Sequence, residues 1–504
     1  MAQDSLRDGF VSICLDTSLN YYAAKCRVIV EGQFVPVVGS GLVADVPILI
    51  NSVNDINSLF TGGSVLAESL RRVFCICPSN VEVWAIPRAD AAGAVKAVYD
   101  LTIAGPATSD GQFTLFMIDD IYSVSFPVTN GSSVATIAAA FIANLSANFP
   151  YTCTATATGI HMVALNGGTV GNYLNPIYNW AGFRNYSPAG VTVSAVRTTP
   201  GSINPAAINY SAAVNECCFD CWVLLTDDIV WQRGMRDWLR SNWDCNKPQC
   251  FGNGYTYDTG TLGQVLATGD NSEVFNRLAY PVNDANVPWL LVSEYAAKSC
   301  CTACSNPELS IQGPINGLLT CTNRPSSCSQ PWTLADRLTL AAAGFVLYGP
   351  VSQSPGAYTN AYIYNDITNS LTDSKSRPNV TWQSTTTRRW AKNFATTLAA
   401  ELSADFNGLA AYTDGTQIRS GVFGTTKNLM LARIIAWLRT QEGVTISTIA
   451  DVSTQVILTS DFDTAPACRG IPGKYALKLT VQPGIRVANI NAQILPQILS
   501  NCSR

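Results

Sequence analysis

The stretch GGSVLAESLRRVFCICPSNVEVWAIP, from Gly62 to Pro87, joins a helix pattern to a strand pattern. Four of its apolar residues fall on one helical face: Leu66, Leu70, Val73 and Phe74. The run VEVWAIP that follows is mostly apolar and ends in a proline. Upstream, VPILINS (46–52) is another strand candidate. This strand–helix–strand order predicts a βαβ unit with a buried, mostly parallel sheet.

The pattern changes after Ala89 and returns near Pro200. Between them, YDLTIAG, GQFTLFMI and IYSVSFPV are short strand candidates separated by turn residues. A helix candidate, SSVATIAAAFIANLSANF, and one strand candidate, TCTATATGIHMVAL, follow. Beyond this segment, CWVLLTDD predicts a strand, VWQRGMRDWLRSN a helix, and VPWLLVSEY a strand or short helix. The middle segment is therefore interpreted as a small β-rich α+β domain inserted into the first one.

The last third has a different character. WTLADRLTLAAAGFVLYG opens with Thr333 and Asp336 in capping-box spacing. Two long helix candidates follow, WQSTTTRRWAKNFATTLAAEL and TKNLMLARIIAWLRTQEG, and YALKLTVQ (475–482) alternates as a strand. The predicted fold is α/β and α+β multidomain. We expect a 1–27 arm, a discontinuous central α/β domain (28–95 and 201–348), an inserted α+β domain (96–200) and a C-terminal α+β domain (349–504) ending in a strand arm.

The composition favours a subunit of an assembly. Charged residues make up 13% of the chain, against about 25% in ordinary domains. With 11 Trp, 19 Tyr and 18 Phe, this suggests that much of the surface is buried against partners. The alternative is a surface rich in neutral Ser, Thr and Asn. The net charge of −4 does not favour wrapping a nucleic-acid backbone.

The sequence has no membrane-span or secretory-signal pattern. The apolar run LAAAGFVLYGPV is too short to cross a bilayer. The start, MAQDSLRDGF, lacks the charged and apolar regions of a secretory signal. We expect the chain to be made in a cytoplasm and not exported during synthesis.

The usual catalytic motifs are missing from the sequence. There is no phosphate-binding GxxxxGK[ST] loop, no HExxH and no GxSxG. A Ser–His–Asp triad would need the single histidine, His161, which is predicted on a strand face. GGTVGN (167–172) is interpreted as a tight turn, and the pairs Asp119–Asp120 and Asp227–Asp228 as solvated loop carboxylates rather than a cation site. The expectation is a non-enzyme without cofactor or metal.

Two cysteine clusters, NECCFDCW (215–222) and KSCCTACS (298–305), allow several interpretations. Cys218-x-x-Cys221 and Cys301-x-x-Cys304 outline a four-thiolate zinc site, but about 80 residues separate them, against roughly 15–20 in zinc ribbons. A thioredoxin-like centre would need its CxxC at a helix start. Disulfides and buried thiols remain. Because adjacent Cα atoms lie about 3.8 Å apart, neighbouring cysteines need partners elsewhere.

The disulfide hypothesis requires an oxidising medium reached without secretion, as for a virus particle released by lysis. The chain has 17 cysteines, so at least one is left over or bonds another subunit. The candidates for bridges within or between subunits are Cys14, Cys26, Cys75, Cys77, Cys217, Cys218, Cys221, Cys245, Cys250, Cys300, Cys301, Cys304, Cys321, Cys328, Cys468 and Cys502.

The chain resembles contractile phage tail sheath proteins, particularly the Mu-like group. GGSVLAESLRRVF and VEVWAIPRAD resemble that group's early α/β segment, and SSVATIAAAFIANL and LNGGTVGNYLN resemble the helix and Gly-Asn turn of its inserted domain. TLADRLTLAAAGFVLYG resembles the helix before its C-terminal domain. The strongest match is YTDGTQIRSGVFGTTKNLMLARIIAWLRTQEG (412–443). The resemblance covers most of the chain from about residue 46 and rests on the order and spacing of these segments; the cysteine count departs from it.

The resemblance implies a subunit of stacked six-fold rings around a tail tube, with the C-terminal domain innermost and terminal arms that add strands to neighbouring subunits. Contraction would drive the tube through the host envelope. The implied partners are other copies of the chain, the tail tube protein, and baseplate and tail terminator proteins, without direct nucleic-acid contact or membrane insertion. The implied location is the virion tail, after assembly in the host cytoplasm. The middle domain of such sheaths is subtilisin-like in fold but not proteolytic, which fits the missing triad.

A basic segment suggests how such a subunit would face its tube. Residues 377–443 contain eight basic and four acidic side chains, in a chain of net charge −4. We expect positive charge to face an acidic tube and to tune register more than affinity; the alternative is a solvated helix face. The candidate residues are Arg388, Arg389, Lys392, Lys427, Arg433 and Arg439. The rival for the whole chain is a cysteine-rich virion decoration or surface adhesion protein without a contractile role.

Overall fold

The computed structural model describes residues 12–16, 26–77, 81–116, 122–178, 187–214, 218–242, 252–281, 287–305, 311, 313–314, 332–350, 361–373, 375–378, 382–406, 410–412, 424–441, 456–460 and 474–479. The helices are α1 (Val53–Leu59), α2 (Val65–Ile76), α3 (Val134–Ala143), α4 (Tyr210–Val214), α5 (Ile229–Asn242), α6 (Leu262–Ala267), α7 (Pro288–Ser305), α8 (Leu334–Ala342), α9 (Thr385–Phe406) and α10 (Lys427–Gln441), with a 3₁₀ helix at Thr169–Tyr173.

The strands of the first half are β1 (Ser12–Asp16), β2 (Arg27–Gln33), β3 (Ile48–Ile50), β4 (Glu82–Arg88), β5 (Lys96–Ala104), β6 (Gly111–Phe116), β7 (Val124–Val128), β8 (Tyr151–Thr156), β9 (Gly159–Gly167), β10 (Ile177–Tyr178) and β11 (Thr192–Thr199). Those of the second half are β12 (Cys221–Leu224), β13 (Asn253–Gly260), β14 (Phe275–Pro281), β15 (Gly313–Pro314), β16 (Tyr348–Pro350), β17 (Ala361–Ile363), β18 (Ala410–Tyr412), β19 (Gly424–Thr426), β20 (Val456–Ser460) and β21 (Lys474–Leu479).

The largest sheet of the described residues has the strand order β14–β13–β12–β2–β4–β3. Pairing is parallel from β14 to β4, as the sequence predicts, but β3 is antiparallel to β4. The prediction that VPILINS opens a parallel βαβ unit is therefore wrong. The strand parallel to β4 is β2, and α2 lies on the connection between them.

At the start of helix α2, two polar side chains accept hydrogen bonds from buried backbone N–H groups. The Gly63 N–H donates to Glu68 Oε1 at 2.8 Å, and the Val65 N–H donates to Asn166 Oδ1 at 3.0 Å. Gly63 has a φ of +81°, and a Cβ there would lie 2.5 Å from the Phe149 carbonyl oxygen. Only glycine therefore fits this close approach between α2 and the segment before β8.

The sheet is covered on both faces, which explains its apolar strands. In β2, Val28 and Val30 lie in one core and Ile29 in the other. The first core contains residues of α2 and α7, and the second contains residues of α4, α5, α9 and α10. VPWLLVSEY has no clear hydrophobic period, because the helix turns that it forms are buried on all sides. It is the start of the 18-residue helix α7 rather than a strand.

Residues 96–199 contribute no strand to this sheet in the part of the chain described here. They form a four-stranded sheet, β11–β5–β9–β8, and a three-stranded sheet, β10–β6–β7. TCTATATGIHMVAL, predicted as one strand, is a hairpin of β8 and β9 that turns just before Gly159. Val95 and Ser202 exchange backbone hydrogen bonds of 3.0 and 3.1 Å, so the two ends of the segment lie side by side.

The predicted C-terminal helices and strand are confirmed as α9, α10 and β21. The terminal strands form an antiparallel sheet of order β1–β21–β20, in which Ile13 is opposite Leu477. The strand suggested for IRVANINAQI lies outside the described residues. Within those residues, no helix combines the length and apolarity that a membrane span requires.

Candidate functional site

Four cysteines meet near the amino ends of β2 and β12. Cys221 is the first residue of β12 and hydrogen-bonds Cys300 of α7. Next along α7, Cys301 is hydrogen-bonded to Cys77, with 3.4 Å between the two Sγ atoms. Cys77 caps the end of α2, where its N–H donates to the Val73 carbonyl. Helix packing thus brings together thiols that are far apart in sequence.

The thiols of this cluster differ in acidity. Contact with Cys221 and burial raise the pKa of Cys300. The hydrogen bond with Cys301, together with burial, raises the pKa of Cys77. The hydrogen bond between the Cys301 and Cys77 sulfurs lowers the pKa of Cys301. Of Cys77, Cys300 and Cys301, Cys301 is therefore the one that most readily becomes a thiolate.

The other predicted bridge residues fall into three groups. Cys26 and Cys218, which lie at the same end of the sheet, are disulfide-bonded, whereas Cys75 is an exposed thiol. Cys14 lies in β1 and Cys304 near the end of α7. Outside the described residues lie Cys217, Cys245, Cys250, Cys321, Cys328, Cys468 and Cys502. The pairing of these cysteines stays a prediction.

The positions of the two CxxC motifs do not fit a metal site that both would share. Cys218 is disulfide-bonded, so it offers no thiolate, and Cys301-x-x-Cys304 ends a helix rather than starting one. In the described ranges no group of three or more His, Cys, Asp or Glu side chains could hold a metal ion.

Asp227 joins the inserted segment to the large sheet. Its carboxylate accepts hydrogen bonds from Thr169 Oγ1 and Thr259 Oγ1, each at 3.0 Å, and from the Tyr173 hydroxyl. Burial and this carboxylate raise the pKa of Tyr173. The prediction of a solvated loop carboxylate is therefore wrong for Asp227, because hydrogen bonds from two separate segments occupy it.

The structure also places Asp228, His161 and the GGTVGN motif. Asp228 accepts from the backbone N–H of Val230 at 2.9 Å and so starts α5; Asp119 and Asp120 lie outside the described residues. His161 lies on β9, as predicted, with Nδ1 2.6 Å from Asp100 Oδ1 on the neighbouring strand β5. Residues 169–172 of GGTVGN, which is predicted as a tight turn, lie within the 3₁₀ helix, and Gly168 is its N-cap.

The basic residues of α9 and α10 divide into buried and exposed sets. Arg389 donates to Ser299 Oγ at 2.9 Å and to Asp366 Oδ2 at 3.2 Å, and both ion-pair partners are almost fully buried. Arg388 is also fully buried. Lys392 pairs with Asp220, ahead of β12. Arg433 of α10 remains 39% exposed and pairs with Asp405 and Glu401 of α9.

Comparison with known proteins adds one curated relative. The chain is 26% identical over 299 residues to the Mu-like prophage FluMu tail sheath protein of Haemophilus influenzae. The resemblance to Mu-like tail sheath proteins is confirmed. The match covers 58% of this chain and 58% of the relative, so the chain spans less than two thirds of the length of the sheath protein it matches. No protein-family model matches the chain.

Two solved sheath tail proteins are also similar. The one from Listeria innocua has a TM-score of 0.48 and 12% identity, covering 93% of this chain and 94% of its own. The one from Desulfitobacterium hafniense has a TM-score of 0.45 and 14% identity, covering 88% of this chain and 93% of its own.

The burial of two arginines corrects the set expected to face a tail tube. Arg388 and Arg389 lie inside the chain, so the prediction that they present charge to a sheath's tube is wrong. The sequence shows the charge of these arginines but not their burial. Asp366, the buried partner of Arg389, lies in a separate segment after β17, and no sequence pattern links the two residues. Lys427, Arg433 and Arg439 lie on α10, and their role toward a tube stays a prediction.

Proposed function

We propose that the chain is a structural, non-enzymatic subunit of a contractile phage tail sheath. The observation that carries this proposal is the 26% identity over 299 residues to a Mu-like prophage tail sheath protein. The low proportion of charged residues, 13%, supports a subunit with large buried interfaces. In this role the chain is part of the virion tail after assembly in the host cytoplasm, and it needs no cofactor.

In the proposed assembly, subunits form six-fold rings that stack helically around a tail tube. Contacts that repeat head to tail without closing produce such filaments. Contraction then releases energy held in the extended lattice and drives the tube through the host envelope. The remaining partners are the baseplate and tail terminator proteins. We further propose that 28–95 with 201–348, 96–200 and 349–504 act as the three domains, the last facing the tube.

Terminal strands are proposed to link neighbouring subunits. β1 pairs with β21 through backbone hydrogen bonds over Ser12–Asp16 and Lys474–Leu479. The same register can be made by β1 of one copy and β21 of another, since strand addition uses backbone groups that every copy carries. Exchange of this strand would connect subunits without a new interface. Disulfides between subunits are proposed to reinforce this mesh.

The tube-facing surface is proposed to lie on α10. Arg433 is partly neutralised by Asp405 and Glu401, whereas Arg439 lies in the last turn and is exposed. Complementary charge would set the register of the sheath on an acidic tube. Charge reversal at Arg433 and Arg439 is expected to weaken attachment of the sheath to the tube.

The test is electron microscopy of the purified chain, alone and coexpressed with a tail tube protein. Rings and tubes of constant diameter, lengthened in the presence of the tube protein, are the expected result. Discrete monomers or small closed particles that ignore the tube protein would contradict the proposal. They would favour a decoration or adhesion protein instead.

A further inference from the structure

We propose that Cys77 and Cys301 are a redox pair that closes to an intrachain disulfide and ties helix α2 to helix α7. The two positions are separated by 224 residues in sequence, but their Sγ atoms are 3.4 Å apart. Closing the bond requires the sulfurs to approach only about 1.4 Å further, to the roughly 2.0 Å of a disulfide. The inference concerns the subunit itself and holds whether or not the chain forms a sheath.

The surroundings hold both sulfurs in place. Cys77 Sγ lies 3.9 Å from the Ala297 carbonyl of α7, and Cys301 Sγ lies 3.8 Å from the Ile76 carbonyl of α2. Each thiol therefore reaches the backbone of the opposite helix. Both side chains are partly exposed, so a small oxidant reaches them.

The neighbouring thiols are arranged differently. Cys300 precedes Cys301 but is fully buried, and it is hydrogen-bonded to buried Cys221. Cys75 lies two residues before Cys77 and is exposed. Burial keeps Cys300 from solvent oxidants, and the 3.4 Å contact selects Cys77 over Cys75. The structure thus assigns one pairing among several that the sequence leaves open.

The different pKa directions of Cys301 and Cys77 decide which thiol reacts first. Because the pKa of Cys301 is lowered, its thiolate is the attacking group, and Cys77, whose pKa is raised, acts second.

The reaction is a thiol–disulfide exchange with a small disulfide such as oxidised glutathione. The Cys301 thiolate attacks one glutathione sulfur; the glutathione S–S bond breaks, one glutathione thiolate leaves and a mixed disulfide forms. The Cys77 thiol loses its proton to solvent and attacks Cys301 Sγ, releasing the second glutathione. The protein pair loses two electrons, and one oxidised glutathione becomes two glutathione molecules.

The experiment uses the full chain, reduced and then incubated with oxidised glutathione, followed by thiol blocking and peptide mapping without reduction. The expected result is a crosslinked peptide pair containing Cys77 and Cys301, with a higher thermal midpoint than the reduced protein. Cys77→Ser and Cys301→Ser are expected to lose both the crosslink and the shift in midpoint.

Substitutions of the neighbouring cysteines serve as matched controls. Cys75→Ser and Cys300→Ala are expected to retain the crosslink, which assigns it to the second cysteine of each local pair. The mapping of the unsubstituted chain decides the question even where a variant folds poorly. Blocked thiols at Cys77 after oxidation, or a crosslink of Cys301 to Cys304 or Cys300 instead, would overturn the proposal.

Discussion

At Cys301, a hydrogen bond with a neighbouring thiol changes the reactivity of a single side chain. The pKa of Cys301 is lowered, whereas burial raises the pKa of Cys153 to about 12. Since only thiolates react with alkylating reagents, we expect Cys301 to reach its full alkylation rate at a lower pH than Cys153. The rate at Cys153 should keep rising with pH up to about 12.

Time-resolved iodoacetamide labelling between neutral and alkaline pH, read by peptide mass spectrometry, measures this difference. Cys77→Ala removes the hydrogen bond and should move the Cys301 profile toward higher pH. Identical profiles for Cys301 and Cys153 would show that the Cys77 contact does not act on acidity.

Arg389 illustrates how burial changes the role of a charge. It is paired with Asp366, and both side chains are at most 3% exposed. In Arg389→Met, the buried Asp366 carboxylate keeps the Tyr295 hydroxyl but loses its ion-pair partner. Breaking such a buried pair typically costs about 3–5 kcal/mol, so we expect a loss of that size in the free energy of unfolding.

Urea denaturation followed by tryptophan fluorescence measures the loss. Lys375→Ala, at an exposed position, is the control and should change the free energy by no more than about 0.5 kcal/mol. Equal stability of the two variants would mean that Arg389 is not held inside the chain.

Among the elements, α8 shows how local signals become structure. Thr333 Oγ1 accepts from the Asp336 N–H at 3.2 Å, and the Asp336 carboxylate accepts from the Thr333 N–H at 3.0 Å. Thr333→Ala removes one half of this capping box and should cost about 1 kcal/mol. Hydrogen exchange of the amides in 334–342 should become faster.

Thr339→Ala, on the exposed side of the same helix, is the matched control. It keeps both cap contacts and favours helix slightly, so exchange over 334–342 should not accelerate. Acceleration of the same size in both variants would assign the effect to something other than the cap.

The sequence could predict elements whose period or cap is local. The face of α2, the two long C-terminal helices and the α8 cap all follow from residues within a few turns. What failed depends on contacts between distant segments. The sequence pattern predicts no strand at β2, which follows the expected arm. It leaves the start of α7 open between a strand and a short helix, because the first turns of this helix are buried on all sides. The Cys77–Cys301 contact joins two helices and has no local signature.

At the scale of the whole molecule, the central sheet and the terminal strands are built separately. The six-stranded sheet takes its strands from residues 27–88 and 221–281, whereas β1 belongs to the sheet of β20 and β21. A chain lacking residues 1–16 should therefore keep its main fold. If strand exchange connects subunits, as proposed, the same chain should not form long tubes, because β21 has lost the strand that a neighbour would donate.

Sedimentation and electron microscopy of the truncated chain measure assembly, and circular dichroism with a thermal melt measures folding. Ile13→Val keeps β1 and its pairing with Leu477, so this control should assemble like the unsubstituted chain. Long tubes from the truncated chain would remove β1 from the proposed mesh. A truncated chain that folds as a monomer but does not polymerise would support the mesh. That result would show that β1 is needed between subunits and not for the fold of one subunit.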